Sequence, residues 1–207
     1  MPLPARLRGV DLDIVGDAPL SRQVEAIEAI VVEDGALNAL LGVLPALQLP
    51  GCYVGAGAVA AAVWNRRFRL PPGTGVKDYD VVYYDPTDLS AEAERTVEAA
   101  VAALAPERVE VDVTNEARVH LWYEDRFGRP IKQYVSSEAA IATWPSTATS
   151  VGLCRSGEQL SVCAPYGLRD LLLGIVRPNR TLVSRELYES KVRRWRATWP
   201  SLTTLPW

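Results

Sequence analysis

Residues 77–85 read KDYDVVYYD, which places two acidic side chains at alternate positions directly before an apolar pair. In an extended strand, side chains at i and i+2 leave the same face, so Asp78 and Asp80 are expected to lie side by side. Two like charges roughly 6.5 Å apart along a strand repel each other unless solvent or a cation lies between them. The pair therefore indicates either a strand end open to water or a metal site.

A glycine-containing turn precedes this strand. In the segment VGAGAV, Gly55 and Gly57 lie between a short predicted strand, CYVGAG, and an Ala-rich predicted helix, AVAAAVWNRRFR. Glycines let the backbone approach a ligand closely, and a helix N-terminus offers free N–H groups to a phosphate. By itself the GxG pattern is more often a tight turn between a strand and a helix. Its position before the acidic pair makes both features more informative.

A third carboxylate lies on the next predicted strand, ERVEVDVTN. Asp112 stands between two valines, so it points to the face opposite to theirs. If this strand lies beside the strand of Asp78 and Asp80, three carboxylates converge, as Mg²⁺-assisted phosphoryl-type transfer requires. The alternative is that Glu110 and Asp112 merely form the solvated face of an edge strand.

The rest of the chain alternates predicted strands and helices, which favours an α/β sheet over a helical bundle. Residues 21–47 predict two helices with a break at Gly35, and Ser90 is expected to cap a helix that Pro106 stops. Further along we predict a strand at RVHLWYE and a short helix at SSEAAIATWP. A hairpin at VGLCRSGEQLSVCAP and helices at YGLRDLLLGIV and SRELYESKVRRWRATW follow.

Length and composition predict one ordinary globular domain at residues 21–207, preceded by a surface arm at residues 1–20. The chain has 207 residues, of which 48% are hydrophobic and 23% charged. Its net charge of −3 gives no general reason to expect nucleic-acid binding. The three cysteines lack the paired spacing of a zinc site, which suggests free thiols in a reducing compartment. The N-terminus has no apolar core of a signal peptide, so we expect a cytoplasmic protein without a membrane segment.

Several of these stretches together resemble a bacterial family of uncharacterised, predicted nucleotidyltransferases. The similar stretches are VGAGAVAAAVWN, DYDVVYYDPTDLS, NEARVHLWY, SSEAAIATWPSTATSVG, APYGLRDLLLGIVRPN and WPSL, which cover roughly residues 35–202. The resemblance implies the α/β fold of that superfamily, a mixed β-sheet flanked by helices, here with helical additions at both termini.

The resemblance also implies a ligand set. Mg²⁺, or Mn²⁺ in its place, would be held by Asp78 and Asp80. Asp112 would share a second metal or accept the proton of the acceptor. Gly55 and Gly57 would line the triphosphate.

Three further residues are candidates for contacts with the nucleotide. Lys77 could pair with a phosphate or simply neutralise the acidic pair. Asn115 and Arg118 match a family motif and could contact base, ribose or phosphate.

Four departures from the family pattern bear on activity. Ala56 stands where the superfamily usually has a second glycine or a serine, so backbone donors would have to replace a serine hydroxyl. Lys77 replaces an asparagine, and Glu116 replaces a glutamine. Ala60 and Ala61 stand where relatives tend to carry arginine or asparagine.

The leading hypothesis is an enzyme that moves a nucleoside monophosphate from an NTP to a hydroxyl or phosphate of an acceptor. The acceptor is expected to be a small molecule rather than a nucleic acid. One alternative is a binding module that keeps the fold and has lost the transfer reaction. Another is a metal-independent acid–base enzyme that uses the acidic cleft. The acceptor, the base preference and the oligomeric state do not follow from the sequence.

Two further features have simpler structural interpretations. His120, the single histidine, is more often structural in such a setting than an acid or base. The basic residues of the last helix, which include Lys191 and Arg194, are best explained as a solvated face. Docking of an anionic partner such as RNA is the less economical alternative.

Overall fold

The computed structural model describes residues 11–207, and its elements alternate between helices and strands. The helices are α1 Leu12–Gly16, α2 Leu20–Glu33, α3 Gly35–Val43, α4 Ala56–Phe68, α5 Ala91–Leu104, α6 Tyr123–Phe127, α7 Ser137–Ile141, α8 Arg169–Leu173 and α9 Arg185–Thr198. The strands are β1 Tyr53–Gly55, β2 Tyr79–Tyr83, β3 Val111–Asn115, β4 Gly152–Ser156, β5 Gln159–Cys163, β6 Ile175–Val176 and β7 Thr203–Thr204. Within the same described range, Leu44–Leu47 and Glu116–Leu121 are 3₁₀ helices.

A five-stranded mixed sheet in the order β3-β2-β1-β4-β5 forms the centre of the domain. β2 and β3 run parallel to each other, whereas β1 is antiparallel to both β2 and β4. β4 and β5 form the expected hairpin. The predicted α/β architecture with a mixed sheet flanked by helices is therefore confirmed.

Helix α4 is the central helix of the hydrophobic core. Its residues 58–65 are all buried, and most of them are alanine or valine, which lets the helix lie close to the sheet and to its neighbours. Trp64 is fully buried and packs edge-to-face against Trp195 and Trp199, with ring centroids 5.9 and 5.2 Å away. The C-terminal helix α9 is thus fastened to the core by aromatic contacts, each of the kind worth about 1 kcal/mol beyond area burial.

Most of the predicted helix starts are confirmed by their caps. The Ser90 hydroxyl accepts a hydrogen bond from the Ala93 N–H at the start of α5, and Ser136 does the same for Ala139 at the start of α7. The expected break near Gly35 lies at Asp34, whose carboxylate caps α3. Each such cap is typically worth about 1 kcal/mol.

The strand predicted at residues 118–124 is wrong. This stretch forms the 3₁₀ helix Glu116–Leu121 followed by α6. Asn115 ends β3 by accepting a hydrogen bond from the Ala117 N–H, which starts the helical turn. Val119 and Tyr123, four residues apart, are both buried on one side. The helical period therefore wins over the β propensity of the individual residues.

The expected N-terminal arm is described only in part, because residues 1–10 lie outside the described residues. Within the rest, α1 packs against α8 rather than lying free. Leu12 is buried, and a side chain at Gly16 would collide with Leu173 only 2.5 Å away. An ion pair between Asp17 and Arg169 at 2.6 Å adds to this contact.

No single helix within residues 11–207 is both long and apolar enough to cross a membrane. In this part of the chain, α2 and the helical segment that follows it up to Leu47 are together long and apolar enough, but the two are bent by 101° relative to each other.

We expect Asn65→Ala to destabilise the fold by about 2–3 kcal/mol, because Asn65 bridges three segments. Its amide donates to the Thr74 carbonyl at 2.9 Å, and its oxygen accepts from the Trp199 indole at 2.8 Å. Its removal leaves buried polar groups unpaired. Denaturant unfolding checks this, with exposed Gln159→Ala as the control. Equal stability of the two variants would contradict the bridging role.

Candidate active site

A cleft of about 490 Å³ lies between one face of the central sheet and the helices that cover it. Its floor is built by alternate residues of β2 and of β3 with its continuation. Its cover consists of side chains from α6, from the segment after α7 and from α9. The floor residues are Asp80, Val82, Asp112, Thr114 and Glu116.

The strand register places the key floor residues in a single cross-strand row. Asp112 is paired with Asp80, Asp80 with Gly55, and Gly55 with Gly152. Asp78, one residue before β2, also lines the cleft. The structure therefore brings the three predicted carboxylates to one end of one cleft, as expected if their strands are neighbours.

Asp80 lies in surroundings that disfavour its charged form. Burial, together with the nearby carboxylates of Asp78 and Asp112, raises the pKa of Asp80 to about 6. Lys191 and a hydrogen bond from the Gly57 N–H act in the opposite direction. Like charges held this close, on a partly buried group, are typical of a site built for a cation or for proton transfer.

The donor set fits Mg²⁺ only together with a phosphate ligand. Among residues 11–207, no three acidic, histidine or cysteine side chains are arranged to hold a metal by themselves. Mg²⁺ usually binds one or two carboxylates and completes its shell with water and substrate phosphates. The adjacent carboxylates of Asp80 and Asp112, which destabilise each other without a cation, meet that requirement.

The two predicted phosphate-turn glycines have different surroundings. A side chain at Gly55 would meet the ring of Trp144 at 2.4 Å, so this glycine makes room for the tryptophan that covers the row. Gly57 has open space around it and lines the cleft. Between them, Ala56 has a left-handed backbone with φ of 51°, a conformation that costs about 1–2 kcal/mol for a residue with a side chain.

Positively charged side chains line the same cleft as the carboxylates. They are Lys191 and Arg194 of α9 and Lys77, which directly precedes Asp78, and Lys191 is close enough to Asp80 and Asp78 to feel their charge. Burial and the Arg194 guanidinium lower the pKa of Lys191, while Asp80 and Asp78 raise it. Both were expected on a solvated face. Arg194 is exposed as expected and borders the cleft, whereas Lys191 is partly buried beside it.

The spacing of residues along α9 could have predicted from the sequence that Lys191 lines the cleft. Lys191 lies four residues after Leu187 and four before Trp195, and all three line the cleft. A long basic side chain on the apolar face of an amphipathic helix borders whatever that face covers.

Glu116 is a buried acid on the same floor. Its side chain lines the cleft, it is only 4% exposed, and its carboxyl makes no hydrogen bond to any residue of the described range 11–207. Burial, together with the charges of Asp80 and Glu94, raises the pKa of Glu116 to about 8. Sequence analysis noted Glu116 only as a departure from the family pattern.

Asn115 and Arg118 are not among the residues that line the cleft. The Asn115 side chain is buried and bonds the backbone of Asp85 and Ala117, while Arg118 pairs with Glu94 of α5. Both thereby fasten β3 and the following turn to their neighbours. His120 has a buried Nδ1 without a hydrogen-bond partner in residues 11–207. The predicted nucleotide contacts of Asn115 and Arg118 would need a rearrangement of these bonds.

Comparison with known proteins agrees with this geometry. A family model described as nucleotidyltransferase matches residues 43–204, which is most of the chain. A solved NMR structure, described as one that "reveals a CCA-adding enzyme head domain", is similar with a TM-score of 0.72 and 24% identity. The alignment covers 95% of this chain and 100% of that one. No curated protein matches. The predicted fold and family resemblance are confirmed.

The neighbouring glycines provide a matched test of these surroundings. Gly55→Ala should destabilise the protein by about 1–3 kcal/mol, because the new methyl group collides with the Trp144 ring. Gly57→Ala should be neutral or stabilising by up to about 1 kcal/mol, since alanine favours the helix and meets nothing. Thermal unfolding of both variants checks this. Equal effects would show that Trp144 does not rest on Gly55.

The buried acid predicts a pH dependence of stability. Because the pKa of Glu116 rises from 4.5 to about 8 on folding, the folded protein binds more protons than the unfolded chain between these values. Stability is therefore fully present below pH 4.5 and is lost as the pH rises through about 8. Asp80 contributes in the same direction between 3.8 and about 6.

We expect Glu116→Gln to remove the Glu116 part of this loss, so that the variant gains stability relative to wild type as the pH rises from 5 to 8. Melting temperatures measured across this range without divalent ions test it. Parallel profiles for the two proteins would contradict the raised pKa.

Proposed function

The chain belongs to the nucleotidyltransferase family, and from that membership we propose a Mg²⁺-dependent enzyme that transfers a nucleoside monophosphate from an NTP to a hydroxyl or phosphate of a small-molecule acceptor. The observation that supports this most directly is the pairing of Asp80 with Asp112 at one end of the cleft, opposite Lys191. Carboxylates for a cation and amines for phosphate are the two halves of a triphosphate site.

The carboxylates would hold the metal and manage the proton. Asp78 and Asp80, with Asp112 beside them, would bind Mg²⁺, which neutralises charge on the triphosphate when it is present. In the reaction an acceptor oxygen forms a bond to the α-phosphorus, the bond from that phosphorus to the bridging oxygen breaks, and pyrophosphate leaves. Asp112 would take the proton of an acceptor hydroxyl, since it is the most exposed end of the row.

Side chains and backbone around the carboxylates would hold the triphosphate. Lys191 and Arg194 of α9 and Lys77, which directly precedes Asp78, supply positive charge along the cleft. The start of α4 supplies backbone N–H groups and the positive end of the helix dipole, in place of a serine hydroxyl at Ala56. The Gly57 N–H is already bonded to Asp80, so it positions the carboxylate rather than the phosphate.

The size and charge of the site support a small-molecule acceptor. A volume of about 490 Å³ is in the range of small-molecule pockets. The net charge of −3 provides no extended positive field for a nucleic-acid backbone.

We expect Asp80→Asn to lower Mg²⁺-dependent nucleotide turnover by at least 100-fold without loss of folding. The amide keeps the size of the side chain but removes the charge that would bind the metal, and it also relieves repulsion with Asp78 and Asp112. Mass spectrometry of NTP and Mg²⁺ incubated with a pooled metabolite extract measures the transfer, and thermal unfolding measures the fold.

The exposed Asp125→Asn, outside the cleft, is the matched control and should keep full activity. Full activity of Asp80→Asn would overturn the metal site. Turnover that persists in a chelator would favour metal-independent acid–base chemistry. Stabilisation by NTP without any product would favour a binding module.

A further inference from the structure

We propose that Glu116 recognises the base of the NTP by accepting a hydrogen bond from its exocyclic amine, so that the enzyme selects an amine-bearing base over uracil. This inference rests on the proposed function, because it concerns the nucleotide bound in the same cleft. It assigns a specificity-determining residue that is not one of the carboxylates proposed to hold the metal.

The Glu116 carboxyl has unused hydrogen-bonding capacity inside the cleft. The residue is 4% exposed, yet no group within residues 11–207 donates a hydrogen bond to it. Its oxygens are not among the fully enclosed unpaired atoms of this range, so they are reached from the cleft, where each can accept a hydrogen bond. Because Glu116 lines the cleft, a ligand that enters can supply the missing donor.

The position of Glu116 suits the base of a bound nucleotide. It directly follows β3, begins the 3₁₀ helix and lines the same cleft as Asp112. Its carboxyl is close enough to Asp80 to feel the charge of that residue, so one nucleotide can reach both. A metal-bound α-phosphate at Asp112 and Asp80 would leave the ribose over Thr114 and the base near Glu116. All of these residues line one continuous cleft.

The walls at this end suit a flat ring. Trp122 and Tyr123 line the cleft here, and Tyr134 lies close to both Tyr123 and Glu116. The Tyr134 hydroxyl is already bonded to Thr143 at 2.8 Å, so it does not occupy Glu116. Aromatic walls around one polar acceptor are typical of sites that stack a ring and orient it by a single edge.

The carboxyl can accept an amine hydrogen in either protonation state, through an ionised oxygen or through the carbonyl oxygen of the acid. Adenine, cytosine and guanine carry an exocyclic amine, whereas uracil carries none. A glutamine at this position keeps a carbonyl acceptor of similar geometry, and a leucine removes it. Substitution at Glu116 can therefore separate hydrogen bonding from shape.

The test measures dissociation constants of non-hydrolysable analogues of ATP, CTP, GTP and UTP with Mg²⁺. Wild type should bind at least one amine-bearing analogue about tenfold or more tightly than the UTP analogue. Glu116→Leu should lose that preference by weakening only the preferred analogue, again about tenfold. Glu116→Gln should retain most of it, within about threefold, since hydrogen bonds to neutral acceptors are weaker.

The exposed Glu158→Gln, in the β4–β5 turn, is the matched control and should match wild type for all four analogues. Thermal unfolding establishes that each variant is folded. Analogue binding by wild type that Glu116→Leu leaves unchanged, or weakens equally for all four, would overturn the base assignment and leave the proposed function standing. Unchanged analogue binding is the result expected if Glu116 binds an amine of the acceptor instead of the base. Absence of any analogue binding or turnover by wild type would overturn both.

Discussion

The pairing register of the central sheet is the constraint on which the site depends. It aligns Asp112, Asp80, Gly55 and Gly152 across four strands. Because side chains alternate between the faces of a strand, a slip of one residue in β2 would turn Asp80 into the core and Val81 into the cleft. The apolar residues that alternate with the carboxylates, Val81 and Val113, are buried on the other face and oppose such a slip.

The same row explains how the cleft acquires a cover. The two aspartates carry charge that keeps their part of the row open to solvent, while the two glycines carry no side chain at all. Trp144 lies on Gly55, and Ile141 comes within 2.8 Å of the place where a side chain at Gly152 would be. The segment from α7 therefore rests directly on the backbone and forms one wall of the cleft. The aspartates of the row thus supply the negative charge of the site, and the glycines of the same row make room for the side chains that cover it.

Several ionisable side chains of the site lie in surroundings that disfavour their charged forms. Asp80 lies among like charges, Glu116 is a buried acid without a partner, and Lys191 is a partly buried amine. Each group lowers the stability of the free protein, and in the proposed function each would be relieved by one part of a bound metal–nucleotide complex. Such costs are common at functional sites and are offset by the core elsewhere, here by the tryptophan contacts around α4.

Local sequence by itself determined the strand of Asp80, which Asp78 directly precedes, the strand of Asp112, the helix cap at Ser90, and the α/β class. These features follow from the alternation of apolar and polar residues, from the chemistry of helix caps and from the family resemblance. All three can be recognised within short stretches of the sequence. Only the tertiary structure decided which polar residues face the cleft. It directed Asn115 and Arg118 to neighbouring segments, turned Lys191 inward and left Glu116 without a partner, because contacts between residues distant in the chain set those orientations.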